Sequence, residues 1–249
     1  MRFENKVAVV TGSGQGIGEA YAKGLAREGA SVVVAELNEE QGRRVTGEIE
    51  ADGFKALFVK TDVADEASTL AMGKAATEAF GGVDYLVNNA AIYKSMEIHS
   101  MLDMPIDYWD RFMRVNMTGA LLATRAVYES MTQRGGGSIV NQSSSAAWMA
   151  AGYYGIAKLA LHGVTHSLAA ELGGRNIRVN AIAPGPVDTE ATRTVVPDGI
   201  IDDIVKGLQL KRVGQPEDMV GTCLFLLSDD AAWVTAQILA VDGGQIIRA

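Results

Sequence analysis

Seven short apolar, β-branched runs recur along the chain, and a longer helix-like stretch separates most of them. The runs are Val7–Thr11, Ser31–Ala35, Ala56–Lys60, Val83–Asn88, Ser138–Gln142, Arg178–Ile182 and Ile238–Val241. Each is close to continuously apolar, as a strand covered on both faces reads. The stretches between them, Ile17–Glu28, Glu39–Ala51, Glu66–Phe80, Ile106–Gln133, Gly152–Leu172 and Pro216–Leu227, predict helices. This alternation predicts right-handed βαβ units, and so an α/β protein: a doubly wound parallel sheet of about seven strands with helices on both faces. No Pro/Ser-rich linker interrupts residues 1–249, so one domain is expected.

Composition excludes several functions. The formal charge of −8 argues against a nucleic-acid partner, which needs a basic face. Cys223 is the single cysteine, so neither an internal disulfide nor a cysteine-rich zinc site is expected, and a cytoplasmic, reducing setting fits. The charged start runs straight into Val7 without a leader-like apolar segment. The uncharged stretch 135–157 is too rich in Ser, Gly, Asn and Gln for a membrane span, so no membrane partner is expected.

The first strand leads into Thr11-Gly12-Ser13-Gly14-Gln15-Gly16-Ile17-Gly18. Glycines between a strand and a helix let backbone N–H groups approach a pyrophosphate, and the helix N-terminus favours the negative charge. This makes the predicted fold Rossmann-like. Glu36 ends the second strand, where a carboxylate can hold ribose hydroxyls and repel a 2′-phosphate. With neutral Gln15 it points to NAD as the cofactor.

Tyr154 and Lys158 lie four apart on a predicted helix and so share a face. A phenol titrates near 10 in water, and an adjacent ammonium is expected to lower that value. A tyrosine so placed can exchange a proton with a carbonyl or alcohol oxygen. Upstream, Ser143-Ser144-Ser145 follows a strand end and offers a hydroxyl to hold that oxygen.

Taken together, Thr11-x-x-x-Gly16-Ile17-Gly18, Asn88-Asn89-Ala90-Ala91, Asn116, the serines before Tyr154-x-x-x-Lys158, Pro184-Gly185 and Val241-Asp242-Gly243-Gly244 resemble the short-chain dehydrogenase/reductase family, along essentially the whole chain. The resemblance implies Gly12, Gln15, Gly16, Ile17 and Gly18 around the pyrophosphate, and Glu36 on the adenosine ribose. It implies Asp62 and Val63 at the adenine, Asn88 and Ala90 at the adjoining strand end, and Pro184, Gly185, Val187 and Thr189 at the nicotinamide. Tyr154 becomes the acid/base, Lys158 its neighbour and a ribose ligand, and Asn116 part of a proton relay through water. The resemblance also implies an oligomer, with a homotetramer expected, and the apolar faces of the two longest predicted helices agree. Two departures stand out. Ala91 replaces a common Gly, and the serine-to-Tyr154 stretch is shorter than the family pattern by about three residues. Aligning the preceding strand assigns the catalytic hydroxyl to Ser144, with Ser143 and Ser145 left as alternatives.

These residues imply an enzyme that moves a hydride between a nicotinamide and a secondary alcohol or ketone. A 3-oxoacyl thioester reductase and a non-catalytic dinucleotide sensor are the rivals. Ile92, Tyr93, Trp148 and Tyr153 are the predicted substrate contacts, joined by Met96, Met149, Val195 and Val196. They suit a compact, apolar, cyclic or aromatic substrate, with Arg193 and Lys94 as candidate partners for a carboxylate. Residues 183–215 break the strand–helix rhythm with Pro184, Pro186 and Pro197, and residues 189–212 are expected to form a lid. His162 and His166 are spaced like a helical metal pair, but no third ligand is evident, so no metal is expected.

Overall fold

The computed structural model describes residues 1–196 and 199–247; Pro197 lies outside the described residues. The strands are β1 (Val7–Thr11), β2 (Ser31–Glu36), β3 (Ala56–Lys60), β4 (Tyr85–Asn88), β5 (Gly137–Gln142), β6 (Ile177–Pro184) and β7 (Ile238–Val241). They form one parallel sheet in the order β3-β2-β1-β4-β5-β6-β7. The helices are α1 (Gly16–Arg27), α2 (Glu39–Ala51), α3 (Glu66–Phe80), α4 (Ile106–Met113), α5 (Gly119–Gln133), α6 (Gly152–Leu172), α7 (Glu190–Val195), α8 (Ile200–Gly207) and α9 (Pro216–Leu227).

The continuous apolar runs are explained by cores on both faces of the sheet. Along β1, Ala8 and Val10 pack with side chains of α1, α2 and α9, whereas Val9 packs with those of α3, α5 and α6. β2 repeats the division, Val32 and Val34 against Val33 and Ala35. A strand alternates faces at every residue, so a buried strand must be apolar at every residue. The order reverses between β1 and β4, and the loops that follow these two strands open a crevice at their carboxyl ends.

Two stretches differ from the sequence reading. Ile106–Gln133 is not one α-helix: a π-helical turn over Arg114–Thr118 divides it into α4 and α5. Asn116 Nδ2 donates to the Phe112 carbonyl at 3.0 Å. A side chain that enters the backbone ladder in this way opens the turn. The expected lid segment, for which the sequence reading predicts no helix, holds two short ones, α7 and α8. Thr189 starts α7 by accepting a bond from the Thr192 N–H. Among the described residues no helix is long and apolar enough to cross a membrane.

Candidate active site

The crevice deepens into a cavity of about 1130 Å³, slightly larger than ordinary small-molecule sites. Its floor on the β1 side is the glycine turn. Gly12 has φ +63°, and a Cβ there would stand 2.7 Å from Ala90 Cα. Gly18 has no room for a Cβ either, with the Gly12 carbonyl at 2.2 Å from where it would lie. The loop is therefore pressed against the end of β4. Asn89 pins it there, donating to the Thr11 and Gly12 carbonyls at 3.1 and 2.8 Å. Gln15 precedes α1 in an extended conformation and makes no side-chain cap, so the first N–H groups of that helix face the crevice without a side-chain acceptor. This geometry fits a pyrophosphate.

Glu36 lies on the same side of the cavity. Its carboxylate accepts from Gly14 N at 2.9 Å and from Asn38 N at 3.0 Å, which fixes it at the end of β2. Leu37, 57% exposed, and Thr61, Asp62, Val63 and Ala64 line the cavity around it. No cation is in that group. Arg44 donates to the Gly14 carbonyl but is held by Glu19 and Glu48 and does not line the cavity.

Across the crevice, α6 presents Tyr154 and Lys158. Lys158 is 3% exposed, and its ammonium donates to the Gln142 carbonyl at 2.9 Å. Burial pulls its pKa down to about 8. Burial also pushes the Tyr154 phenol above its ordinary value, Tyr93 adds to the rise, and the Ser144 hydroxyl opposes it. This corrects the expectation that Lys158 lowers the phenol: the ammonium sits over the ring, 5.8 Å from its centroid, and is directed to Gln142.

The three serines separate by partner. Ser143 Oγ donates to the Lys158 carbonyl at 3.0 Å and lies 2.8 Å from His162 Nε2. Ser144 lies in the cavity with Tyr154, and its Oγ accepts from Ala146 N. Ser145 opens a short 3-10 turn ending at Trp148. That turn spans the shortened stretch and leaves Ser144 against Tyr154.

Gly12, Gln15, Gly16, Ile17, Gly18, Glu36, Asp62, Val63, Ala90, Ile92, Tyr93, Pro184, Gly185, Val187 and Thr189 all line the cavity. Asn88, Asn116, Trp148 and Tyr153 do not. Asn88 turns inward, donating to Asn141 Oδ1 at 2.9 Å; the next residue, Asn89, faces the cavity. Asn116 borders a void of about 10 Å³ shared with Asn88 and Gln142, and the Oδ1 atoms of Asn88 and Asn116 have no protein partner. That void is at the lower limit of room for one water. Trp148 packs on His162, ring centroids 5.0 Å apart. Tyr153 packs edge-on against Phe112, 4.7 Å between centroids, and its hydroxyl donates to the Glu97 carbonyl.

The two cations expected to await a carboxylate already have one: Arg193 is paired with Asp188, and Lys94 with Glu190. Arg111 on α4, which the sequence reading passed over, lines the cavity and has no ion pair among those of the described residues. No cluster of three or more metal-ligating side chains occurs among the described residues.

A glycine-cradled crevice at the switch point, facing Tyr154 and Lys158 on α6, is the arrangement of a dinucleotide-binding oxidoreductase fold. The profile of a family described as Enoyl-(Acyl carrier protein) reductase matches residues 12–245. An oxidoreductase of Mycobacterium tuberculosis, uncharacterized by name, is 58% identical over 246 residues, covering 99% of each chain. Dehydrogenase/reductase SDR family member 4 of Bos taurus is 38% identical over 98% of this chain and 88% of its own. A solved 7α-hydroxysteroid dehydrogenase, complexed with NADH and 7-oxo glycochenodeoxycholic acid, has a TM-score of 0.92 at 35% identity, covering 98% of this chain and 95% of that one. The chain belongs to the short-chain dehydrogenase/reductase family.

The buried Lys158 ammonium makes stability depend on pH. Its folded value, about 8, lies below its ordinary 10.5, so the unfolded chain binds more protons between them. The cost of burying the charge is full below pH 8 and fades as pH rises toward 10.5. Lys158→Met removes this titration. In the ligand-free protein, the stability of the variant relative to wild type is expected to be greater at pH 7 than at pH 10, by more than about 1 kcal/mol. Denaturant unfolding at both pH values measures it, and a pH-independent difference contradicts it.

Proposed function

We propose that the protein is an NAD(H)-dependent dehydrogenase that interconverts a secondary alcohol and its ketone. The observation that carries this reading is that Tyr154 and Ser144 line one cavity together, with Lys158 one turn further along α6. Gly12, Gln15, Gly16, Ile17 and Gly18 would hold the pyrophosphate of the dinucleotide, Glu36 its adenosine ribose, and Asp62 and Val63 its adenine. Ala90, Pro184, Gly185, Val187 and Thr189 would border the rest, with Tyr154 and Lys158 at the nicotinamide ribose. When bound, the nicotinamide supplies or accepts the hydride.

The remaining work belongs to the chain. Tyr154 gives its proton to the carbonyl oxygen during reduction and takes it back during oxidation. A phenol at or above its ordinary value near 10 holds its proton at neutral pH, the state that reduction requires. Ser144 Oγ holds the reacting oxygen. Asn116, through a water in the adjoining void, would pass protons toward Lys158.

The choice of NAD over NADP rests on Glu36 and on the lack of a cation beside it on the cavity wall. The substrate side is lined by Ile92, Tyr93, Met96, Met149, Val195 and Val196, which suits a compact, largely apolar, cyclic or aromatic ketone. The solved relative that holds NADH and 7-oxo glycochenodeoxycholic acid supports NADH as the cofactor and a cyclic ketone as the reacting group; its ligand is an acid, so the neutral substrate rests on the cavity lining alone. Steady-state assays of NADH and NADPH against neutral and carboxylated cyclic ketones test them. Higher kcat/KM with NADH and neutral ketones is expected, and Glu36→Ala should raise the NADPH/NADH ratio at least about tenfold. Better turnover with NADPH would overturn the cofactor assignment. A preference for carboxylated ketones that disappears in Arg111→Ala would overturn the neutral substrate.

Assembly belongs to the same reading. Leu121 on α5 and Ile156 and Leu159 on α6 are exposed, as an oligomer built on these helices requires. A homotetramer is expected in sedimentation at micromolar concentration, and a monomer there would contradict it.

A further inference from the structure

The turn after β7 faces the same cavity, and the reaction above gives it no task. Asp242 shapes it: its carboxylate accepts from Gly244 N at 2.9 Å and Ile246 N at 2.8 Å. The turn lies flush on the end of β6, because a Cβ at Gly185 would stand 2.7 Å from Asp242 Cα. From the other side, Gln209 N and Leu210 N, just past α8, both donate to the Gly243 carbonyl, at 3.0 and 2.9 Å. Gln245 is therefore mounted on backbone fixed from two directions.

Gln245 lines the cavity, and its Oε1 is buried without a hydrogen-bond partner. The other two such atoms among the described residues, on Asn88 and Asn116, border the small inner void. Gln245 belongs to the main cavity instead. Of the lid residues in the cavity wall, Val195, Val196, Ile201 and Ile204 supply no side-chain donor, and the hydroxyls of Thr189, Thr192 and Thr194 do not bond the Gln245 Oε1. A buried acceptor left unpaired is unfavourable, and a ligand that brings a donor removes the penalty.

Sheet order says which ligand this is. Glu36 and Asp62 follow β2 and β3 at one end of the sheet, the Ser144–Tyr154 group follows β5, and Gln245 follows β7 at the opposite edge. A dinucleotide held from the β2 end leaves the β7 end to the substrate.

We infer that Gln245 anchors the substrate, its Oε1 accepting a hydrogen bond from a substrate hydroxyl remote from the reacting carbon. This rests on the dehydrogenase reading and narrows it: the substrate is a mostly apolar ketone or alcohol with a second, distal hydroxyl. A site that places one acceptor in an apolar wall discriminates against the analogue lacking the donor.

The test uses the full-length enzyme with NADH and two matched pairs of ketones. One pair is phenylcyclohexanone and its para-hydroxyphenyl counterpart; the other is a decalone and a hydroxydecalone. The hydroxylated member of at least one pair is expected to have the higher kcat/KM, by about tenfold. Gln245→Leu should abolish that ratio while keeping turnover of the plain ketone and the NADH Kd. Gln245→Glu, which retains an acceptor, should keep the preference. Turnover with ratios near one, or a ratio unchanged in Gln245→Leu, overturns the anchor and leaves the dehydrogenase reading standing. An effect of Gln245→Leu confined to the NADH Kd assigns the amide to the cofactor and likewise overturns it. No turnover of any ketone overturns the dehydrogenase reading and the anchor with it.

Discussion

A buried ammonium bonded to a backbone carbonyl holds the two halves of the site together. Lys158 donates to the carbonyl of Gln142 at the end of β5, while the side chain of Gln142 accepts from Tyr21 of α1 at 2.9 Å. One residue thus links the helix that opens on the glycine turn to the helix that carries Tyr154. Ser143 reinforces the joint by donating to the Lys158 carbonyl. No carboxylate pairs with Lys158 among the ion pairs of the described residues. A buried charge without a counter-ion is costly, and its depressed pKa records that cost. Such an arrangement is the expected mark of a functional group rather than of a stabilising one.

The same economy governs the polar interior beneath the crevice. Asn88 bonds Asn141, and Asn141 Nδ2 bonds Thr165 of α6 at 2.9 Å. The chain of bonds fastens β4 and β5 to the catalytic helix. Above it the cavity is largely apolar, and of the three cations that line it, Lys94, Arg111 and Lys158, Lys94 is neutralised by Glu190. Polar groups in that wall therefore stand out, and each is a determinant of what the cavity can hold.

Most of this was legible in the residues. The strands could be read because a strand buried on both faces must be apolar throughout, and the glycine turn because its glycines fill no space that their neighbours leave open. Ser144, Tyr154 and Lys158 are brought together, and the short 3-10 turn explains how a shortened stretch still delivers Ser144. What stayed hidden depends on direction and on through-space partners. At the end of β4 the choice between Asn88 and Asn89 is one of facing, and only the register on β5 settles it. Tyr153 is one residue from Tyr154, so it points about 100° away around the helix and meets Phe112. Trp148 finds His162, a partner that spacing does not reveal. The π turn at Asn116 arises from a side chain competing for a helical carbonyl, which periodicity cannot register. Gln245 carried no signal beyond its position after two glycines.

The central claim is that the Tyr154 hydroxyl moves the proton. Tyr154→Phe keeps the ring and removes that oxygen alone, so NADH titration should give a Kd close to wild type while ketone reduction falls by at least about a hundredfold, the lower end of acid/base contributions. A variant that binds NADH normally and keeps more than about a hundredth of the rate would contradict the account.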